Sequence, residues 1–352
     1  MKDALKLCLV GFGNVSRRFC HLLLEKQFWL EDTFHREILV TGIAGRSKGN
    51  LVNVNGLRLS DALRQAEIRG VFSKDSPDWF EGTTEDVIAA SRADVLVEMS
   101  TLSIRDGLPA ADYMRQAFSL GMHVITANKG PEAWYFRELR DAADRAGVRF
   151  LYETIVMDGT PVFNLVTETL HGNHIRGIRG ILNGTSNYVL KLLEDGKTQE
   201  EAIRAAQEIG LAEADPSMDL DGWDGAAKIC ALANILMDAG ITPDDVNVES
   251  VRNVTAEDLQ EARERGNCIK YICRADRDTV SGKISVSVRP EQLPREHAYC
   301  SVNGTSAVIT IDTDLAGELT VIQTDPGLLQ TAYGIYSDLI TLLKSEMREV
   351  KE

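Results

Sequence analysis

An apolar strand that runs straight into a glycine turn and then a helix constrains this chain more than any other feature. Residues 5–10 read Leu-Lys-Leu-Cys-Leu-Val, and Gly11-Phe12-Gly13-Asn14-Val15-Ser16 follows at once, opening a helical pattern. The first glycine permits a tight turn, and the second lets backbone approach a pyrophosphate. The helix start then offers free N–H groups and a partial positive charge. Ser16 stands where a third glycine is usual and is small enough for helix–strand packing. Glycines also punctuate many other strand–helix junctions. Here the placement between an N-terminal strand and a helix points to a dinucleotide.

The first 155 residues continue the alternation. Strands are expected at 38–44, 95–98, 123–126 and 149–152, with helices at 16–26, 84–91, 108–120 and 131–146 between them. That order predicts a parallel sheet with crossover helices. Beyond Pro161 the pattern changes. Residues 162–170 read as a strand or the start of a buried helix, and 175–182 as a strand. A helix opens at Thr198, with Glu201 completing a capping box, and stops at Gly210; another spans about 222–237. Strands expected at 270–275, 283–289, 299–302, 308–312 and 319–322 describe a mixed or antiparallel sheet, and a last helix runs from Gly327 to about Met347. The expected fold class is α/β: a Rossmann-type nucleotide-binding domain over 1–155, an α+β catalytic and dimerisation domain over 156–318, and a segment over 319–352 that packs back on the first domain.

At 352 residues the chain is long for one core. Its net charge of −15 repels phosphate backbones and anionic lipid, so neither nucleic acid nor membrane is an expected partner. No apolar run approaches the roughly 20 residues that span a bilayer. The six cysteines form no CxxC pair and are expected as buried free thiols in a reducing compartment, which places the protein in the cytoplasm. His171 and His174 lie three apart without further ligands, so no transition-metal site is expected.

The expected second strand ends before Gly45-Arg46-Ser47-Lys48, where a site preferring NAD would carry an acid for the ribose 2′-hydroxyl. Two cations and a hydroxyl suit a 2′-phosphate instead, although a solvated basic loop has the same composition. Four further segments carry chemistry. Thr126-Ala127-Asn128-Lys129 lies at the carboxyl end of a strand, where such sheets bind ligands. Asn183-Gly184-Thr185-Ser186-Asn187-Tyr188 breaks a strand into a run of small polar groups, as an ordinary capped helix start also would. Glu213-Ala214-Asp215-Pro216-Ser217-Met218-Asp219-Leu220-Asp221 crowds acids for which a ligand ammonium is a natural counter-charge. Asp224 and Lys228 share one face of a helix whose flank is apolar. An exposed salt bridge has that spacing too, but partial burial would let the lysine move a proton.

With these residues in order, nearly the whole chain resembles the homoserine dehydrogenase family. The resemblance rests on Gly11-x-Gly13, Ala127-Asn128-Lys129, the 183–188 segment, and Glu213 through Asp219 to Asp224 and Lys228. It implies reversible hydride transfer between aspartate 4-semialdehyde and homoserine, in threonine and methionine biosynthesis, by a homodimer. In that reading Lys129 and Lys228 flank the reacting oxygen and Asp224 orients it. Glu213 and Asp219 hold the substrate ammonium, and Thr185 with Gly184 fixes substrate and nicotinamide. The cofactor, expected as NADP with NAD also accepted, is assigned to Gly11, Gly13, Asn14, Val15, Arg46, Lys48, Ser100 and Lys129. Glu153, Val156 and Asp158 are implied as a sodium site. Two departures stand out. Leu211 replaces a common tyrosine, and Thr324-Asp325-Pro326-Gly327 replaces a glycine-rich loop. With the last helix so close to Glu352, regulation through an added C-terminal domain is not expected. Another dehydrogenase of an amino-acid derivative, or a silent nucleotide-binding regulator, remains an alternative.

Overall fold

The computed structural model describes residues 4–349. It divides into two compact units. The first comprises residues 4–131, Tyr135–Pro161 and 327–349; the second comprises Glu132–Trp134 and Val162–Pro326. The junctions fall at 161/162 and 326/327, later than the expected 155/156 and 318/319. The reason is local: residues 154–157 form a helical turn bonded to the closing helix, and residues 318–323 are paired into the second sheet.

In the first unit the order is β1 (Leu5–Val10), α1 (Asn14–Phe34), β2 (Ile38–Gly45), β3 (Gly49–Val52), α2 (Leu59–Ile68), β4 (Trp79–Phe80) and α3 (Thr84–Ser91). There follow β5 (Val95–Glu98), α4 (Ala110–Ser119), β6 (His123–Thr126), α5 (Lys129–Ala146), β7 (Phe150–Leu151) and α6 (Thr154–Met157). The seven strands lie in the order β4-β3-β2-β1-β5-β6-β7, parallel from β2 through β7, with β3 and β4 added antiparallel. The chain order reverses between β1 and β5, and ligands of such sheets sit outside the strand ends at that point. One face of the sheet buries Leu5, Leu7 and Leu9 with Phe19 of α1 and with Ile335, Leu339 and Leu342 of the closing helix (Leu328–Glu349). The other face packs Cys8, Val10 and Leu96 against α3, α4 and α5.

The second unit runs α7 (Val162–Thr169), β8 (Ile175–Ile181), α8 (Gly184–Glu194), α9 (Gln199–Glu208), α10 (Ser217–Leu220), α11 (Trp223–Met237), β9 (Asn247–Val248) and α12 (Ala256–Glu264). A long hairpin, β10 (Asn267–Arg277) and β11 (Ile284–Pro294), is followed by β12 (Ala307–Thr313) and β13 (Glu318–Gln323). The sheet order is β13-β12-β8-β10-β11-β9, antiparallel except for β11 with β9. Residues 162–169, open to two readings in the sequence, are helix. Thr198 caps α9 with Glu201 as expected. α11 lies close on the sheet at Gly225, where an added Cβ would meet Cys273 Sγ at 3.0 Å and Val288 at 3.1 Å.

Two expectations are corrected. Residues 299–302 are not a strand; Ala298–Ser301 form a 3-10 turn capped by His297, whose ring accepts the Tyr299 N–H at 3.2 Å. The Tyr299 and Val302 pair is therefore one helical turn, three residues apart, rather than part of an alternating face. Nor are all six cysteines free. The β10–β11 hairpin and the turn after it return the chain on itself, and Cys268 is disulfide-bonded to Cys300, 32 positions on, at a Cα–Cα distance of 6.1 Å. Cys8, Cys20, Cys230 and Cys273 are buried free thiols. No helix among the described residues is long and apolar enough to cross a membrane.

Candidate active site

At the carboxyl end of the first sheet a cavity of about 430 Å³ is lined by Gly11, Gly13 and Asn14, by Arg46, Ser47 and Lys48, by Thr84, and by Ser100, Thr101 and Tyr113. Gly11 is required there. Its φ is +89°, and a Cβ would meet the Met99 carbonyl oxygen at 2.3 Å and the Ser100 nitrogen at 2.8 Å. Only a glycine lets the β1 turn pass that close to the end of β5. Ser16 is buried, as a small residue at the helix–strand contact should be. Gly13 is the N-cap of α1, with no side-chain cap and no acid in the first turn, so the first helical N–H groups are left for an anion.

No acidic residue lines this cavity, and three cations do: Arg17, Arg46 and Lys48. Arg17 was not evident from the motif. It lies one turn into α1 and donates to Asn14 Oδ1 at 2.6 Å and to the Gly13 carbonyl at 3.3 Å. Lys48 Nζ donates to the Gly70 carbonyl at 3.2 Å, whereas Arg46 is exposed at the rim. Of the residues assigned to a cofactor, Val15 and Lys129 do not line the cavity. Val15 packs on the core beneath, and Lys129 opens α5 after its N-cap, Asn128. Between these segments Glu98, at the end of β5, is fully buried. Its carboxylate accepts from the Ser100 N–H at 2.9 Å, and burial pushes the group above the usual carboxylate range. A larger cavity, about 810 Å³, is lined by α2 and the 73–78 loop; there Arg58 and Arg64 are satisfied by Asp61.

In the second unit one side chain gathers the chemistry. Asn183 caps α8, its Oδ1 accepting the Ser186 N–H at 2.8 Å. Its Nδ2 donates to Asp219 Oδ1 at 2.7 Å and to Asp224 Oδ2 at 2.8 Å. Asp224 pairs with Lys228 at 3.3 Å on the buried side of α11, and Lys228 Nζ donates to the Leu182 carbonyl at 2.6 Å. Burial, and next the Asp224 charge, raise the Asp219 carboxyl; the bonds from Asn183 and Thr185 and the Lys228 charge oppose that rise. Thr185 Oγ1 donates to the Leu211 carbonyl at 3.3 Å, so Leu211 contributes its backbone where a tyrosine ring is common in the family.

Asp219, Asp224, Lys228, Thr185 and Gly184 are thus brought together. Glu213 is not. Its carboxylate is exposed, and only its carbonyl is engaged, by Gln207. The crowded acids also have protein partners the sequence could not show. Asp215 holds the Ser217 N–H and hydroxyl, and Asp221 pairs with Arg252 at 3.0 Å. Back in the first unit, Glu153 is buried beside α6 and Val156 lies within it. Asp158 follows at φ 49° with its carboxylate accepting from Thr331 Oγ1 at 2.7 Å. Among the described residues no cluster of three or more His, Cys, Asp or Glu is arranged to hold a metal.

Known proteins resemble the chain as a whole. The family model described as homoserine dehydrogenase matches residues 161–340, and that described as homoserine dehydrogenase, NAD binding domain, matches 11–153. The chain is 35% identical to an NAD(+)-dependent homoserine dehydrogenase of Pseudomonas canavaninivorans, over 98% of this chain and 97% of that one. It is 37% identical to a homoserine dehydrogenase of Methanocaldococcus jannaschii, over 96% and 98%. Among solved structures it resembles a homoserine dehydrogenase from Thiobacillus denitrificans, with a TM-score of 0.82 and 28% identity over 99% of this chain and 75% of that one. It also resembles a hyperthermophilic archaeal homoserine dehydrogenase in complex with NADPH, with a TM-score of 0.83 and 26% identity over 98% of each.

Proposed function

From the premise that this chain belongs to the homoserine dehydrogenase family, NAD(P)-dependent oxidoreductases acting on a CH–OH group, we propose how its own residues divide the work. The observation that carries the proposal is the network centred on Asn183. It presents one cation, Lys228, and two carboxylates, Asp219 and Asp224, from a single partly buried cluster. A bound nicotinamide supplies the hydride to the aldehyde carbon or accepts it from the alcohol. The substrate oxygen gains negative charge as the aldehyde is reduced, and Lys228 stabilises that charge and delivers the proton. Asp224 fixes the orientation of Lys228. Lys129 is assigned as a second cation on the reacting oxygen. Asp219, with Thr185 and the Gly184 backbone, holds the amino-acid end of the substrate, and Glu213 adds charge for its ammonium.

The phosphorylated cofactor is the preferred one in this reading. Three cations and no acid line the cavity in the first unit, which favours a 2′-phosphate over a bare hydroxyl, with NAD still accepted. A sodium ion at Glu153, Val156 and Asp158 is proposed on residue type alone; the Asp158 carboxylate already accepts from Thr331 Oγ1. We assign it a structural role only, which a higher Tm in sodium than in choline chloride tests. We assign the protein to the cytoplasm on its biosynthetic role rather than on its thiols, since Cys268 and Cys300 are joined; the exposed edge strand β13, with Ile322 half exposed, suits a homodimer.

The test is an absorbance assay of nicotinamide reduction with homoserine and with 4-hydroxybutyrate, its analogue without the amino group. Homoserine should be strongly preferred. Equal use of the two would remove Asp219 and Glu213 from substrate recognition.

A further inference from the structure

We propose that Lys270 is a positioning residue for the substrate, clamping the loop at 302–306 onto the start of α8. The inference rests on the reading above that Gly184 and Thr185 hold the substrate. Lys270 lies on β10, only 3% exposed, and no catalytic role accounts for it. Its ammonium donates to the Val302 carbonyl at 2.8 Å, to Asn303 Oδ1 at 2.9 Å and to Asn187 Oδ1 at 3.5 Å. Three donors meet three acceptors, none of them a carboxylate. Asn187, fully buried on α8, closes the figure by donating to the Val302 and Gly304 carbonyls, both at 3.3 Å.

A buried cation with only neutral acceptors costs stability, which is why such groups are normally paired or absent. Burial pulls the Lys270 ammonium down to about 8, against the partial support of Glu194 and with Lys191 and Arg295 adding to the effect. What that cost secures is the geometry of one loop. Cys268 and Lys270 are two apart on β10 and so face the same way. The first holds Cys300 by the disulfide, and the second holds the two residues after the 3-10 turn. Further along, Ser306 Oγ donates to Asp325 Oδ1 at 3.2 Å and accepts the Asp325 N–H at 3.1 Å. Thr305, held between these ties, lies against Gly184: a Cβ there would meet Thr305 Cα at 3.5 Å and its carbonyl oxygen at 3.7 Å. The loop is therefore a backstop for the turn that carries Gly184 and Thr185. It is tied to α8 through Asn187, one helical turn away.

Steady-state kinetics of the full chain decide the matter, with Tm recorded for each variant. Lys270→Met should raise the KM for homoserine by about tenfold or more, the effect of losing hydrogen bonds to a charged group. The KM for the nicotinamide cofactor should stay within about twofold, because its cavity is built from other residues. Lys270→Arg, too wide for the same three acceptors, should not restore the parent value. Asn303→Ala, which removes one acceptor at a half-buried position, should raise the homoserine KM by roughly threefold. It decides the question alone if Lys270→Met does not fold. An unchanged homoserine KM in the folded variants, or equal rises for both substrates with a lowered Tm, would overturn the clamp. Thr185→Ala separates the two levels. If it leaves the homoserine KM at the parent value, the substrate assignment itself fails. If it raises that KM while the Lys270 and Asn303 variants do not, only the clamp fails.

Discussion

Asp338, on the closing helix, accepts a hydrogen bond from the backbone N–H of Glu153 at 2.9 Å, joining two buried acidic residues 185 positions apart. Burial raises the Asp338 carboxyl well above its usual value, and the Glu153 charge adds to the rise. A carboxyl raised on folding stabilises most fully below its unfolded pKa, near 4, and that contribution is lost as pH climbs through the folded value. Asp338→Asn keeps an oxygen for the Glu153 N–H and has no proton to lose. In choline chloride free of sodium, it should therefore raise Tm by roughly 2–4 °C at pH 7 and by nothing at pH 4. A calorimetric scan showing the gain at pH 4 instead would reverse the assignment of charge.

Lys228 should be replaceable without loss of the fold and with severe loss of turnover. Lys228→Met is expected to retain cofactor affinity and lower kcat by about 100-fold or more, the scale of a general acid–base contribution. Near-parent turnover in a folded variant would remove Lys228 from proton transfer.

Asn183→Ala removes the donor shared by the half-buried Asp219 and the buried Asp224 and leaves their like charges without it. It should lower kcat/KM for homoserine by about tenfold to 100-fold, the effect of roughly 1.5–3 kcal/mol from hydrogen bonds to charged groups. Asn183→Asp adds a third carboxylate and should be worse at pH 8 than at pH 6. An aspartate variant as active as the parent at both pH values would show that Asn183 is only a helix cap.

Cofactor choice follows from the rim of the cavity. Arg46 is exposed and Lys48 is already bonded to Gly70, so Arg46→Ala should weaken NADP(H) binding by about tenfold and Lys48→Ala by less. NAD(H) affinity should barely move in either. Dissociation constants measured by fluorescence titration test this. Equal affinity of the parent for the two cofactors would reduce the 45–48 segment to a solvated turn.

The disulfide closes a loop of 32 residues, for which chain-entropy reasoning gives about 3–4 kcal/mol as an upper figure. Dithiothreitol should lower Tm in the parent but not in Cys268→Ser. A reductant effect that persists in the variant would rule out this pairing.

The parts of the molecule legible in the sequence are those with local causes. Strands β1, β5 and β6 are short, mostly apolar runs, β1 ending at the glycine turn and β5 and β6 in a polar residue, and they fall where expected because a parallel strand covered on both faces has little other composition. Gly11 was readable because a close backbone approach demands glycine, whereas at Gly13 the protein itself leaves room for a Cβ and only the motif marks the position. The antiparallel extension at β3 and β4 was not, since half-buried strands of four and two residues carry no period to detect. The pairing of Cys268 with Cys300 depends on where a hairpin returns, and the position of Glu213 on a loop that turns its carboxylate to solvent. Asn183 shows the same limit in the site. Its cap was visible, but its two carboxylate partners arrive from α10 and α11, 36 and 41 residues later.

The closing helix has a consequence for how the chain is made. Leu339, Leu342 and Leu343 share one core with Leu5, Leu7 and Phe19, so the first unit is built from stretches before and after the second unit, which is inserted between them. As the ribosome releases the chain, the strand β1 and helix α1 emerge before the second unit, with an apolar face that has no cover. That face stays open through the synthesis of the whole inserted unit, roughly 10–30 s at ordinary elongation rates. The order of assembly is thus the reverse of the order of reading. The inserted unit is complete in sequence before the nucleotide-binding unit can close, and a nascent chain stalled before the last helix would present the exposed surface that chaperones recognise.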